Sequence, residues 1–174
     1  RTLDITIFAG IAGFDKSDYL KRFIRVGLKR HGYSEDLRSS GSKRFIRYIK
    51  FEDELLRVDG STDMPTVLDK HSLKEKTEVI ERTFTEIGKQ IKNYETKHVF
   101  LDIHLSYFRR SQFTPPLLLA NLRELVPHDQ IPVKVITLID DIFAIWQNLR
   151  KREIEYPRTS LRLREILSWR SIEM

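Results

Sequence analysis

The sequence predicts a single α/β domain, a three-layer parallel sheet with helices on both faces. Three observations predict it. Runs rich in β-branched and apolar residues alternate with runs of helical periodicity along the whole chain, and strands that alternate with helices build parallel sheets. The length of 174 residues fits one domain, and no repeat or Ser/Gly linker divides it. The composition, 40% hydrophobic and 32% charged, is that of a chain that folds rather than one that stays disordered.

Leu3 to Ala9 reads as the first strand. Gly10 to Lys16 is a glycine-containing turn, and a helix follows to about His31 with Leu20, Phe23, Ile24 and Leu28 on one face, ended by Gly32. Phe45 to Phe51 mixes aromatic, β-branched and basic residues as a second strand. Glu52 to Lys70, with Gly60 and Pro65, reads as polar and irregular. Ser72 and Glu75 form a capping box that opens a long helix with Leu73, Ile80, Phe84, Ile87, Ile91 and Tyr94 along its stripe. His98 to Ile103 is a third strand. Thr114-Pro115-Pro116 starts a helix that ends near Pro127, and Val133 to Ile139 is a fourth strand. Asp140 or Asp141 caps a helix lined by Ile142, Ile145, Trp146 and Leu149. Pro157 breaks it, and Thr159 or Ser160 starts a last helix with Leu163, Ile166 and Leu167 inward.

Several classes are excluded. The absence of Cys removes disulfides, thiol nucleophiles and Cys-ligated zinc, and is compatible with a cytoplasmic location. No apolar run approaches the roughly 18 residues of a membrane span, so no membrane partner is expected. The five His show no metal-ligand spacing, and neither HExxH nor GxSxG occurs. The net charge of +6 is modest, with most of the excess between Gln147 and Arg170. Lys21, Arg22, Arg25 and Lys29 form a basic stripe, but no nucleic-acid-binding motif accompanies it, and a solvated face is the expectation over a nucleic-acid partner.

Ligands of parallel sheets bind at the carboxyl ends of the strands, so the turn after the first strand is the place to seek function. Gly10-Ile-Ala-Gly13-Phe-Asp15-Lys16-Ser17 matches the phosphate-binding loop pattern at Gly10, Lys16 and Ser17 and departs from it at Asp15, where the pattern has Gly. In such a loop the backbone N–H groups around Gly10 and Gly13 face phosphate, Lys16 meets β- and γ-phosphates, and the Ser17 hydroxyl holds Mg²⁺. Asp15 sets a carboxylate where the backbone approaches phosphate. The plain alternative is a strand-to-helix turn with Lys16 and Ser17 on the surface, and in either reading Lys16 is expected to be exposed.

With these residues the chain resembles the nucleoside and nucleotide kinases of the P-loop NTPase superfamily, with a degenerate phosphate loop. The resemblance covers most of the chain but rests on few positions. It implies ATP and Mg²⁺ as cofactors and a phosphotransferase acting on a small acceptor. By position, it makes Glu52 or Asp53 the base, Asp102 a magnesium-holding residue at the end of the third strand, and Arg109 or Arg110 a phosphate clamp. Arg150, Arg152 and Arg158 correspond to an arginine-bearing lid that neutralises the transferring group. No fifth strand follows the lid, so the chain is expected to be a piece of a longer protein with further domains, and a non-catalytic nucleotide-binding module is the alternative function.

Overall fold

The computed structural model describes residues 3–10, 16–30, 46–92, 98–109, 112–115, 121, 125, 133–151 and 162–173. Four parallel strands form the central sheet: β1 (Asp4–Ala9), β2 (Ile46–Lys50), β3 (His98–Asp102) and β6 (Val133–Thr137), in the order β2-β3-β1-β6. Asp4 pairs with His98, Ile46 with His98, and Ile5 with Val133. A short antiparallel hairpin, β4 (Tyr107–Arg109) and β5 (Gln112–Thr114), stands apart from it.

Strand alternation sorts the side chains between two layers. Ile5, Ile7, Ile49, Val99 and Leu101 face one side. There they pack with Phe51 and Leu55 of α2 (Phe51–Asp59), Val67 of α3 (Met64–Lys70) and Val79, Ile80, Phe84, Ile87 and Ile91 of α4 (Leu73–Lys92). Phe8 and Phe100 face the other side, where Phe23 of α1 (Lys16–Arg30) meets both rings edge-on at 6.1 and 6.5 Å. The α/β class and its three layers are therefore as expected. Right-handed crossovers account for the layers: the connection from β1 runs over β3 to β2, the one from β2 returns the opposite way, and opposite directions require opposite faces.

The structure corrects several elements. The second strand stops at Lys50, and Phe51 opens a helix instead of ending the strand. The segment read as irregular is two helices. Gly60, with φ at +78° and its N–H bonded to the Leu56 carbonyl, ends α2, and Asp63 caps α3 by accepting from the Thr66 N–H. The acidic first turn of α2, Glu52 to Glu54, disguises it as a polar turn, and α3 is only seven residues long. Thr114 belongs to β5 rather than to a helix start; most of the helix expected after it lies outside the described residues, although Asn121 and Leu125 are helical. The Ser72–Glu75 capping box forms as expected, at 2.7 and 3.4 Å. Leu73 is nevertheless exposed, since it precedes the turn that meets the sheet.

Asp141 is the cap of α5 (Ile142–Lys151), accepting from the N–H groups of Phe143 and Ala144 at 3.0 Å. Helix α6 (Leu163–Glu173) packs against it through Ile145, Leu149, Ile166 and Trp169, with Leu167 exposed rather than inward. No helix among the described residues is long and apolar enough to cross a membrane.

Candidate functional site

In this strand order the connections from β1 and β3 leave in opposite directions. A crevice opens between adjacent strands at such a switch point, beyond their carboxyl ends. The residues found there are Gly10 after β1, Lys16 and Ser17 in the first turn of α1, and Asp102, Ile103 and His104 at the end of β3.

Lys16 is buried, 4% exposed, which corrects the expectation of an exposed lysine. Its ammonium donates to the carbonyls of Gly10 at 3.1 Å and Ile103 at 2.9 Å. It also lies 3.1 Å from His104 Nδ1 and 3.3 Å from Asp102 Oδ1. A charge this deep survives only when its donors are met and a counter-charge sits beside it. Asp102 supplies that charge, because strand alternation puts it on the α1 side of β3.

Asp102 holds a second set of contacts. Ser17 Oγ donates to Asp102 Oδ2 at 2.9 Å, and Tyr48 Oη donates to the same oxygen at 2.8 Å while lying 3.2 Å from Ser17 Oγ. Burial pushes the Tyr48 phenol well above its ordinary range; the Ser17 hydrogen bond pulls the other way, but the charge and hydrogen bond of Asp102 add to the rise, so the phenol stays a neutral donor.

Glu52, in the first turn of α2, reaches His104 Nε2 at 3.2 Å. Burial opposes its charge, but the hydrogen bond and charge of His104, with Lys50 and Lys16, prevail and hold its carboxyl down at about 2. His104 donates from Nε2 to Glu52, while its Nδ1 lies against both the Gly10 carbonyl oxygen and the Lys16 ammonium, so the ring ties α2 to the turn after β1. Lys50 is raised above its ordinary range by Glu52 and Asp53, which outweigh its partial burial. Asp53 points outward, 3.4 Å from Lys50.

The structure therefore joins Gly10, Lys16, Ser17, Asp102 and Glu52 in one cluster and leaves Asp53 at its rim. Arg150 is exposed on α5 with its guanidinium 4.6 Å above the Trp146 ring, so its described contact is within its own helix. Arg109 falls in β4, opposite Gln112. Gly13, Asp15, Arg110, Arg152 and Arg158 lie outside the described residues. Tyr48 was missed as a site residue, and the contacts of His104 with Glu52 and Lys16 were not foreseen. The signal available for Tyr48 was its position two residues before Lys50, which sets both on one face of β2.

Among the described residues no group of three or more His, Asp or Glu converges to cage a metal. A hydroxyl and a carboxylate at 2.9 Å, Ser17 and Asp102, suit a hard cation that keeps waters and takes its remaining oxygens from phosphate, as Mg²⁺ does.

Gly10 carries a steric requirement. Its φ is +155°, and a Cβ there would stand 2.8 Å from the Leu138 carbonyl oxygen and 3.2 Å from the Lys16 side chain. Gly10→Ala is expected to destabilise the fold by about 2 kcal/mol through strain and crowding. Urea unfolding of both proteins checks this, and equal midpoints would contradict the tight approach.

No family model matches the chain, and no curated protein does. Among solved structures, the chain is similar to one described as shikimate kinase from Acinetobacter baumannii in complex with shikimate, at 16% identity. The match covers 98% of this chain and 80% of that one, with a TM-score of 0.46. A likeness at that score carries no weight for function, and the site stands on its own geometry.

Proposed function

We propose that the chain is an ATP-dependent phosphotransferase that passes a phosphoryl group to a small acceptor, with nucleotide and Mg²⁺ at the carboxyl ends of β1 and β3. The observation that carries the reading is the Ser17–Asp102 pair, 2.9 Å apart at the switch point although the two residues are far apart in the chain. Ser17 and Asp102 would hold the cation, which supplies charge neutralisation between the β- and γ-phosphates. Lys16, released from the Gly10 and Ile103 carbonyls, would carry its charge to the same phosphates. Gly10 would provide the close backbone approach, and Gly13 and Asp15, outside the described residues, would belong to the same phosphate loop.

The acceptor oxygen forms the new bond to phosphorus, the bond to the leaving diphosphate breaks, and the acceptor proton leaves late for a phosphate oxygen. A carboxyl held at about 2 is a weak base, so Glu52 serves to orient the acceptor hydroxyl rather than to pull its proton. Asp53 stands behind it at the rim. Arg109 or Arg110, and the lid candidates Arg150, Arg152 and Arg158, would meet the transferred charge. A non-catalytic nucleotide-binding module is the second reading, favoured by one observation: Lys16 already has four partners.

A thermal-shift series with ATP, with ATP and Mg²⁺, and with small hydroxyl acceptors tests the proposal, because a ligand that binds the folded state raises its midpoint. ATP with Mg²⁺ is expected to raise the midpoint more than ATP alone, and Ser17→Ala to remove the magnesium-dependent part. Product formed with one acceptor supports transfer; nucleotide binding without product supports the second reading. No shift with any nucleotide overturns both.

A further inference from the structure

We infer that Tyr48 is a positioning residue for the cation-holding pair, an inference that rests on the nucleotide and Mg²⁺ reading of the site. A carboxylate at the end of a strand can turn about its last torsion and present either oxygen. Asp102 is pinned from both sides: Lys16 at 3.3 Å on Oδ1, and Ser17 at 2.9 Å with Tyr48 at 2.8 Å on Oδ2. When Lys16 turns to phosphate, the Oδ1 restraint is lost, and the two hydroxyls alone keep the carboxylate in place.

The two hydroxyls differ in what else they must do. Ser17 has one proton and two lone pairs. Its proton has to point at Asp102 if its lone pairs are to face a cation. Tyr48 enforces this arrangement from β2, a separate element. Its oxygen is 3.2 Å from Ser17 Oγ and shares the Asp102 oxygen that Ser17 uses. Strand pairing fixes its place, since Tyr48 lies beside Phe100 and Lys50 beside Asp102. Nothing in this role touches the triphosphate, so the hydroxyl acts on the magnesium-dependent part of binding and leaves the metal-free part alone.

Tyr48→Phe keeps the ring and removes one oxygen. Calorimetric titration of ATP at graded Mg²⁺ concentrations, on parent and variant at matched ionic strength, reads the effect without catalysis. Metal-free ATP affinity is expected to stay the same. The Mg²⁺ concentration that gives half of the affinity gain is expected to rise roughly ten-fold, the scale of one hydrogen bond to a charged group. In a cycle with Ser17→Ala, the loss of the two hydroxyls is expected to be less than additive, because each acts through the same cation.

An unchanged magnesium dependence in Tyr48→Phe overturns the inference while leaving the nucleotide reading intact. Equal loss with and without Mg²⁺ also overturns it, as the mark of a merely structural residue. A parent protein that binds ATP with no magnesium dependence overturns the inference and the cation-holding role of Ser17 and Asp102 together.

Discussion

Lys16→Ala is expected to lower the free energy of unfolding by about 3–5 kcal/mol, the scale seen when one partner of a buried ion pair is removed. The loss has two sources. Asp102, itself buried, keeps Ser17 and Tyr48 as donors but loses its counter-charge. The Gly10 and Ile103 carbonyls lose an ammonium donor in a place that water enters poorly. Urea unfolding gives the magnitude, and Lys16→Met separates the causes, since it restores most of the stem and none of the charge. If methionine recovers the stability, packing rather than charge is what Lys16 provides. A loss below about 1 kcal/mol for alanine, the worth of an exposed pair, would contradict the buried placement. Nucleotide binding by the alanine variant is therefore to be measured well below its own melting temperature, or a folding defect will pass for a binding defect.

Acid is expected to remove on the order of 3 kcal/mol of stability through Glu52 alone. Its carboxyl lies near 4.5 when unfolded and at about 2 when folded, and its side chain is 23% exposed, enough burial for the shift to count. A depressed folded-state value means that the unfolded chain takes up the proton first. The contribution of Glu52 is thus complete above about pH 4.5 and disappears as pH falls towards 2. Glu52→Gln cannot titrate there. Between pH 5 and pH 2 the parent should lose more stability than Glu52→Gln by that amount, read from urea midpoints at each pH. Parallel losses in the two proteins would mean that the contact with His104 does not hold the carboxylate.

Much of the framework was legible because it follows from periodicity. β-branched runs located all four parallel strands, and the capping box located α4. Ser17 and Asp102 were singled out through the resemblance to the P-loop kinases, and the structure sets them 2.9 Å apart. What periodicity does not carry was missed. α2 and α3 are too short for their stripes to stand out, and the β4–β5 hairpin has strands of three residues. The burial of Lys16 is a tertiary fact: a lysine in a first helical turn looks exposed until β3 is known to pass beside it with Ile103 and Asp102. Tyr48 was hidden for the same reason, since its partners lie in two other elements.

The sheet also dictates a history. Its strand pairs are all parallel, and the central strand β1 is bordered by β3 and β6, so Ile5 must wait for both Val99 and Val133. Each of those pairings closes a long loop before any ladder repays the entropy, which places this topology among the slower folders. On the ribosome, β1 emerges first and finds its second neighbour only after β6 has been synthesised. Until then Ile5, Ile7 and Phe8, almost wholly buried in the finished fold, belong to an unpaired strand open to other chains. Synthesis at lower temperature or with chaperones in excess should therefore raise the yield of this protein more than that of a helical bundle of equal length.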